Sequence, residues 1–150
     1  MFNAIGSLGE IGGARVVDLF AGSGAMGIEA LSRGAAHCTF VERDRAAVAV
    51  LRRNLASLGV DASASVVEAD AATHAARVGS VDILIADPPY GFSEWEKLLA
   101  GADAALVVLE SDRDPGPIAE WTTVRSKRYG RTHVTFLRPG HSGGGTVEGE

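Results

Sequence analysis

A chain of 150 residues with 46% of them apolar can bury one good core but hardly two. Nineteen Asp and Glu against 14 Lys and Arg leave a net charge of −5, which argues against a general electrostatic grip on nucleic acid, so such a partner is held locally or with help. The lone Cys38 excludes an internal disulfide, His37, His74, His133 and His141 are scattered without metal-ligand spacing, and neither a signal segment nor a membrane-length apolar run occurs, which points to a metal-free cytoplasmic protein.

In chain order, residues 15–20 form a short apolar run, Arg15-Val-Val-Asp-Leu-Phe20, that predicts a buried strand and turns at once at Ala21-Gly-Ser-Gly24. A helix follows, with Met26, Ile28, Ala30 and Leu31 on its apolar face and Arg33-Gly34 closing it. Residues 38–42 predict a second strand, and Asp44 then caps a helix bearing Val48, Leu51, Leu55 and Leu58, ended by Gly59. Residues 65–69 predict a third strand and 71–77 a short helix. The fourth strand, residues 81–86, is apolar almost throughout, as a parallel strand covered on both faces should be, and stops at Asp87-Pro-Pro-Tyr90. A helix over 93–100 and a fifth strand over 104–109 follow. After a loop at Pro115-Gly-Pro117, residues 122–128 and 132–137 predict two antiparallel strands around Tyr129-Gly-Arg131. There is no internal repeat.

Five strand and helix alternations make this an α/β chain with a doubly wound, mostly parallel, Rossmann-like sheet and an antiparallel carboxyl-terminal hairpin. The expected domain spans residues 1–139, with 140–150 a Gly-rich flexible tail. Ligands of such sheets sit at the carboxyl ends of the strands, where Gly22, Glu42 and Asp87 all fall.

Gly22-Ser-Gly-Ala-Met-Gly27 fits the G-x-G-x-x-G pattern, and Glu42 has the approximate spacing of a ribose-binding acid. That pattern alone also suits a nicotinamide or flavin site. Asp18, in the strand ahead of the loop, would sit poorly beside a pyrophosphate yet suits a ligand carrying a sulfonium and an ammonium, which favours S-adenosylmethionine. Glu42 can accept both ribose hydroxyl protons, and Asp70 the adenine amino group. The plainer readings are a simple tight turn for the glycines, a solvated strand end for Glu42 and a helix cap for Asp70.

Asp87-Pro-Pro-Tyr90 is the most specific string. Its prolines stiffen the backbone and remove amide donors, so the Asp87 carboxylate and the Pro88 carbonyl are offered as acceptors. An exocyclic amino nitrogen on a base is a poor nucleophile until acceptors hold its protons and free its lone pair, and Tyr90 supplies a ring for the flipped base. Asp87 or water takes the released proton. The plainer reading is a rigid strand end with Tyr90 packed on the core.

The run from Val17 to Ala35, Phe40-Val-Glu42, Asp70, Ala86-Asp-Pro-Pro-Tyr90 and Tyr129-Gly130 together resemble the RsmD-type 16S ribosomal RNA guanine-N2 methyltransferases, up to about Pro139. Asp-Pro-Pro-Tyr is shared with adenine-N6 and cytosine-N4 enzymes, so the narrower likeness rests on the glycine loop and Glu29-Ala-Leu-Ser-Arg-Gly34. The resemblance implies a class I S-adenosylmethionine-dependent methyltransferase. It implies that Asp87, Pro88, Pro89 and Tyr90 hold the base, and that Asp18, Phe20, Gly22, Ser23, Gly24, Glu42, Arg43, Asp70, Ala71 and Asp87 meet the cofactor. The implied partner is ribosomal RNA or the small-subunit particle, met by a monomer without metal or membrane.

Members of that family begin with a basic hairpin and a Thr-Arg-Pro-Thr segment leading into a helix that ends Leu-Phe-Asn, whereas this chain starts at Met1-Phe-Asn3. The resemblance therefore implies a missing amino-terminal RNA contact, an upstream start, a partner, or use of the carboxyl-terminal hairpin, where Arg125, Lys127, Arg128, Arg131 and Arg138 concentrate. The same charges also suit a solvated edge strand. Arg131 stands where the family more often has a small acidic or amide residue. An amino-methyltransferase of other base choice, an idle cofactor-binding module and a nicotinamide oxidoreductase are the alternatives.

Overall fold

The computed structural model describes residues 11–140. Of the expected tail over 140–150, residues 141–150 lie outside the described residues, as does the Met1-Phe-Asn3 start, while the Gly140 amide donates to the Glu120 carbonyl at 2.8 Å. Seven strands form one sheet in the order β3-β2-β1-β4-β5-β7-β6. β1 (Arg15–Leu19), β2 (His37–Glu42), β3 (Ala64–Glu68), β4 (Ser80–Ala86) and β5 (Asp103–Ser111) run parallel. β6 (Trp121–Tyr129) and β7 (Thr132–Pro139) close one side as an antiparallel hairpin. The chain reverses its order between β1 and β4, which is the crevice where ligands of open α/β sheets bind.

Helices α1 (Ala25–Ser32) and α2 (Arg45–Leu58) follow β1 and β2, and the five-residue helices α3 (Ala71–Ala75) and α4 (Trp95–Leu99) follow β3 and β4. α2 begins where the sequence places it: Asp44 is extended and its side chain accepts the Ala47 amide, while Gly59 at φ 70° ends it in the left-handed region. Its stripe of Val48, Leu51 and Leu55 is buried, and each such side chain contributes roughly 1.5–3 kcal/mol when withdrawn from water.

The alternation of β4 feeds two cores. Ile83 and Ile85 join Phe40, Leu51, Leu106, Val108 and Phe136 on one face; Leu84 and Ala86 join Val41, Trp95, Leu98, Leu99 and Val107 on the other. Burial on both faces is what the unbroken apolar run predicts. No helix among the described residues is long and apolar enough to cross a membrane.

Candidate active site

The site lies along the carboxyl ends of β1, β2 and β4. Two of the loop glycines are demanded by packing. A Cβ on Gly24, at φ 90°, would lie 2.3 Å from Leu51 Cδ1, and a Cβ on Gly27 would lie 2.4 Å from the Phe40 ring and 2.7 Å from Cys38 Sγ. Absence of side chains there lets α1 sit directly on β2. Gly22 differs, since nothing lies within 4 Å of its Cβ position and that side of the loop is open.

The loop is fastened from two directions. The Gly22 amide donates to Glu42 Oε1 at 2.8 Å, and Asn54 on α2 donates through Nδ2 to the Ser23 carbonyl at 3.0 Å. Glu42 Oε2 accepts the Asp44 amide at 2.8 Å. Each Glu42 oxygen thus already holds one backbone donor and keeps one lone pair for another.

Asp18 is 2% exposed, and its Oδ2 accepts the Gly27 amide at 3.0 Å. Burial pushes its carboxyl up to about 7; the Gly27 amide opposes this, and the negative charges of Asp87 and Glu42 add to it. Asp18 faces the start of α1 and does not line the adjoining cavity.

That cavity, of about 450 Å³, brings Phe20, Glu42, Arg43, Asp70, Ala71, Asp87 and Pro89 onto one wall system. Gly22, Ser23, Gly24, Pro88 and Tyr90 flank it without lining it. Asp70 does cap α3, accepting the Thr73 amide and hydroxyl through Oδ2 at 3.1 Å, while its Oδ1 stands 3.7 Å from Arg43. The Thr73 hydrogen bonds, with Arg43, hold its carboxyl below the usual range. Asp70 thus caps α3 and stands on the cavity wall at once.

At the end of β4, Pro88 is buried while Tyr90 is 88% exposed, so the ring is not packed on the core. The Phe92 amide closes a turn on the Pro89 carbonyl at 3.2 Å, with Gly91 at φ 84° and its amide on Asp112 Oδ1 at 3.3 Å. Partial burial raises the Asp87 carboxyl. Neither the Asp87 carboxylate nor the Pro88 carbonyl takes a donor from the described residues, so both acceptors stand open.

Several residues of this site escape sequence reasoning. Phe92 stacks edge-on between Phe20, at 5.5 Å, and Trp95, at 4.8 Å, walling the cavity; Phe20 takes φ 60°, a conformation uncommon outside glycine. Glu94 and Lys97 complete the rim. Glu110 follows Leu109, the β5 partner of Ala86, so it stands beside Asp87 on the next strand. Burial, and then the Asp87 charge, raise its carboxyl. The signal available was its place just after a predicted strand at the carboxyl edge.

The family model described as conserved hypothetical protein 95 matches residues 1–138. YlbH of Bacillus subtilis, assigned as an rRNA methyltransferase, is 37% identical over 92% of this chain and 82% of its own length. Ribosomal RNA small subunit methyltransferase D of Escherichia coli is 40% identical over 79% of this chain and 65% of its own. The solved structure of Escherichia coli yhhF, assigned as a methyltransferase, superposes with a TM-score of 0.79 at 34% identity, over 93% of this chain and 81% of that one.

Proposed function

This chain belongs to the conserved hypothetical protein 95 family, the RsmD family, and from that premise we propose that it is an S-adenosylmethionine-dependent methyltransferase acting on the exocyclic N2 amino group of a guanine in small-subunit ribosomal RNA. The observation that carries the reading is the pair of open acceptors at Asp87 and Pro88, beside a cavity lined by Phe20, Glu42, Arg43 and Asp70.

The residues present fit the cofactor. Glu42 retains a free lone pair on each oxygen for ribose hydroxyls, Asp70 and Arg43 line the cavity at its adenine end, and the Glu42 and Asp87 carboxyls line the same cavity. Bound there, S-adenosylmethionine supplies a methyl group as an electrophile on a positively charged sulfur. Everything else is done by the chain. The Asp87 carboxylate and the Pro88 carbonyl hold the amino protons of the incoming base, the two prolines keep them from drifting, and the exposed Tyr90 ring takes the face of the flipped base. The proton released on transfer has the Asp87 carboxyl, raised by partial burial, as its nearest acceptor.

Glu110 supports guanine over adenine or cytosine. Guanine alone presents a ring N–H beside its amino group, whereas the ring nitrogen next to the amino group of adenine or cytosine is an acceptor. Two adjacent carboxylates repel one another and welcome a row of donors. Asp87 takes the amino group, and Glu110 takes the ring N–H.

Two measurements test the proposal together. S-adenosylmethionine, and not NAD, should raise the melting temperature, as ligand at 100 times its Kd stabilises by about 2.7 kcal/mol. RNA methylated by the protein should then yield N2-methylguanosine on digestion to nucleosides; N6-methyladenosine or N4-methylcytidine would overturn the base assignment.

A further inference from the structure

Five of the chain's 14 Lys and Arg residues fall between positions 121 and 139, a stretch without a single Asp or Glu, in a chain of net charge −5. β6 carries Arg125, Lys127 and Arg128 along the open edge of the sheet, and every residue from Thr122 to Tyr129 is exposed. Charges that only guard an edge against pairing serve with either sign. A run of one sign inside an acidic chain is a field aimed at something negative.

The register says where this field lies. Ala86 pairs with Leu109, Leu109 with Thr135, and Thr135 with Ser126. Ser126 therefore shares the rung of the residue just before Asp87, three strand spacings away, or roughly 14 Å. β6 runs parallel to β4, so residues 127–131 continue from that rung to the same edge of the sheet as the Asp87-Pro-Pro-Tyr90 corner. There, Lys127 Nζ lies 5.4 Å from the centroid of the Tyr129 ring, and Arg128 Nε donates to the Gly130 carbonyl at 2.9 Å, which holds its guanidinium at the turn. Tyr129 pairs with Thr132 across the two-residue turn Gly130-Arg131, which places Arg131 at the tip. One cation over an exposed aromatic ring, with two more within two residues of it, matches a single strand, with its phosphates and an unstacked base, better than it matches a protein surface.

We infer that the β6–β7 hairpin is the RNA-docking surface of this protein: Lys127, Arg128 and Arg131 take phosphates flanking the target nucleotide, and Tyr129 takes a neighbouring base. The inference rests on the methyltransferase reading and adds to it the place where the substrate strand lies.

Fluorescence anisotropy with a 5′-labelled RNA stem-loop, and with DNA of the same sequence, tests it. The Lys127→Gln/Arg128→Gln/Arg131→Gln protein should bind the RNA at least about tenfold more weakly, and its slope of log Kd against log salt should flatten by about 2. Tyr129→Ala should weaken binding about tenfold without changing that slope. Circular dichroism and the melting shift produced by S-adenosylmethionine should match wild type in both. Unchanged RNA affinity and salt slope in the triple variant would overturn the inference, as would tighter binding of the DNA, or wild-type RNA binding too weak to detect at low salt. A wild type not stabilised by S-adenosylmethionine would sink the methyltransferase reading instead, which separates the two failures.

Discussion

Glu42 ties the glycine loop after β1 to the start of α2: one oxygen accepts the Gly22 amide and the other the Asp44 amide, each at 2.8 Å. The carboxylate is thus oriented before any ligand arrives, on the wall of the cavity that it lines. Glu42→Ala should weaken S-adenosylmethionine binding by roughly 10- to 100-fold, the worth of one or two charge-assisted hydrogen bonds, and Glu42→Gln by less. Isothermal titration would detect either; an unchanged Kd in Glu42→Ala would remove Glu42 from the cofactor site.

The Asp18 carboxyl makes stability depend on pH. Its folded value of about 7 lies above its ordinary 3.8, so the folded state binds the proton more tightly than the unfolded chain. The resulting stability is fully present below about pH 4 and is lost as pH rises through about 7. The span corresponds to on the order of 4 kcal/mol. Asp18→Asn keeps an acceptor for the Gly27 amide but does not titrate, so its melting temperature should lose this decline between pH 4 and 7 and exceed wild type at pH 8. Parallel pH profiles for the two proteins would contradict this.

Gly27→Ala should destabilise by about 1–3 kcal/mol, because its Cβ meets the Phe40 ring at 2.4 Å in a packed layer that cannot yield. Gly22→Ala meets nothing within 4 Å and carries only the cost of φ 57°, about 1 kcal/mol. Urea denaturation should rank them in that order, while cofactor binding should suffer more from Gly22→Ala.

Glu110→Ala tests base choice. With the RNA target position mapped, guanine there should be methylated roughly 10- to 100-fold less well in kcat/KM by the variant. 2-Aminopurine keeps the amino group but lacks the ring N–H, so wild type should discriminate against it and Glu110→Ala should not. Equal discrimination by both proteins would exclude Glu110 from the base site.

Much of this was legible in the residues. The seven-strand α/β architecture with its antiparallel hairpin follows from the alternation of apolar runs and turn signals, and the Asp44 cap and Gly59 end of α2 stand where they are predicted. The Asp87 corner stands at the carboxyl end of β4, where an apolar run stopped by a proline pair predicts it. Helices α3 and α4 are shorter than the predicted 71–77 and 93–100, since helix ends depend on tertiary contacts; a Cβ on Gly101, just past α4, would lie 2.7 Å from Ala76 at the end of α3. Glu110, Phe92 and Lys97 reach the site only through strand register and loop closure, which no local pattern encodes. Nor does any local pattern say that Asp18 turns toward α1, or that Glu42 spends an oxygen on each of two amides.

The most direct measurement compares wild type with Asp87→Ala in a methyl-transfer assay on the same RNA, alongside titration with S-adenosylmethionine. Loss of the acceptor that holds the amine should lower the single-turnover rate by at least about 100-fold while the cofactor Kd stays within about tenfold. A variant that methylates at the wild-type rate would contradict the account at its centre.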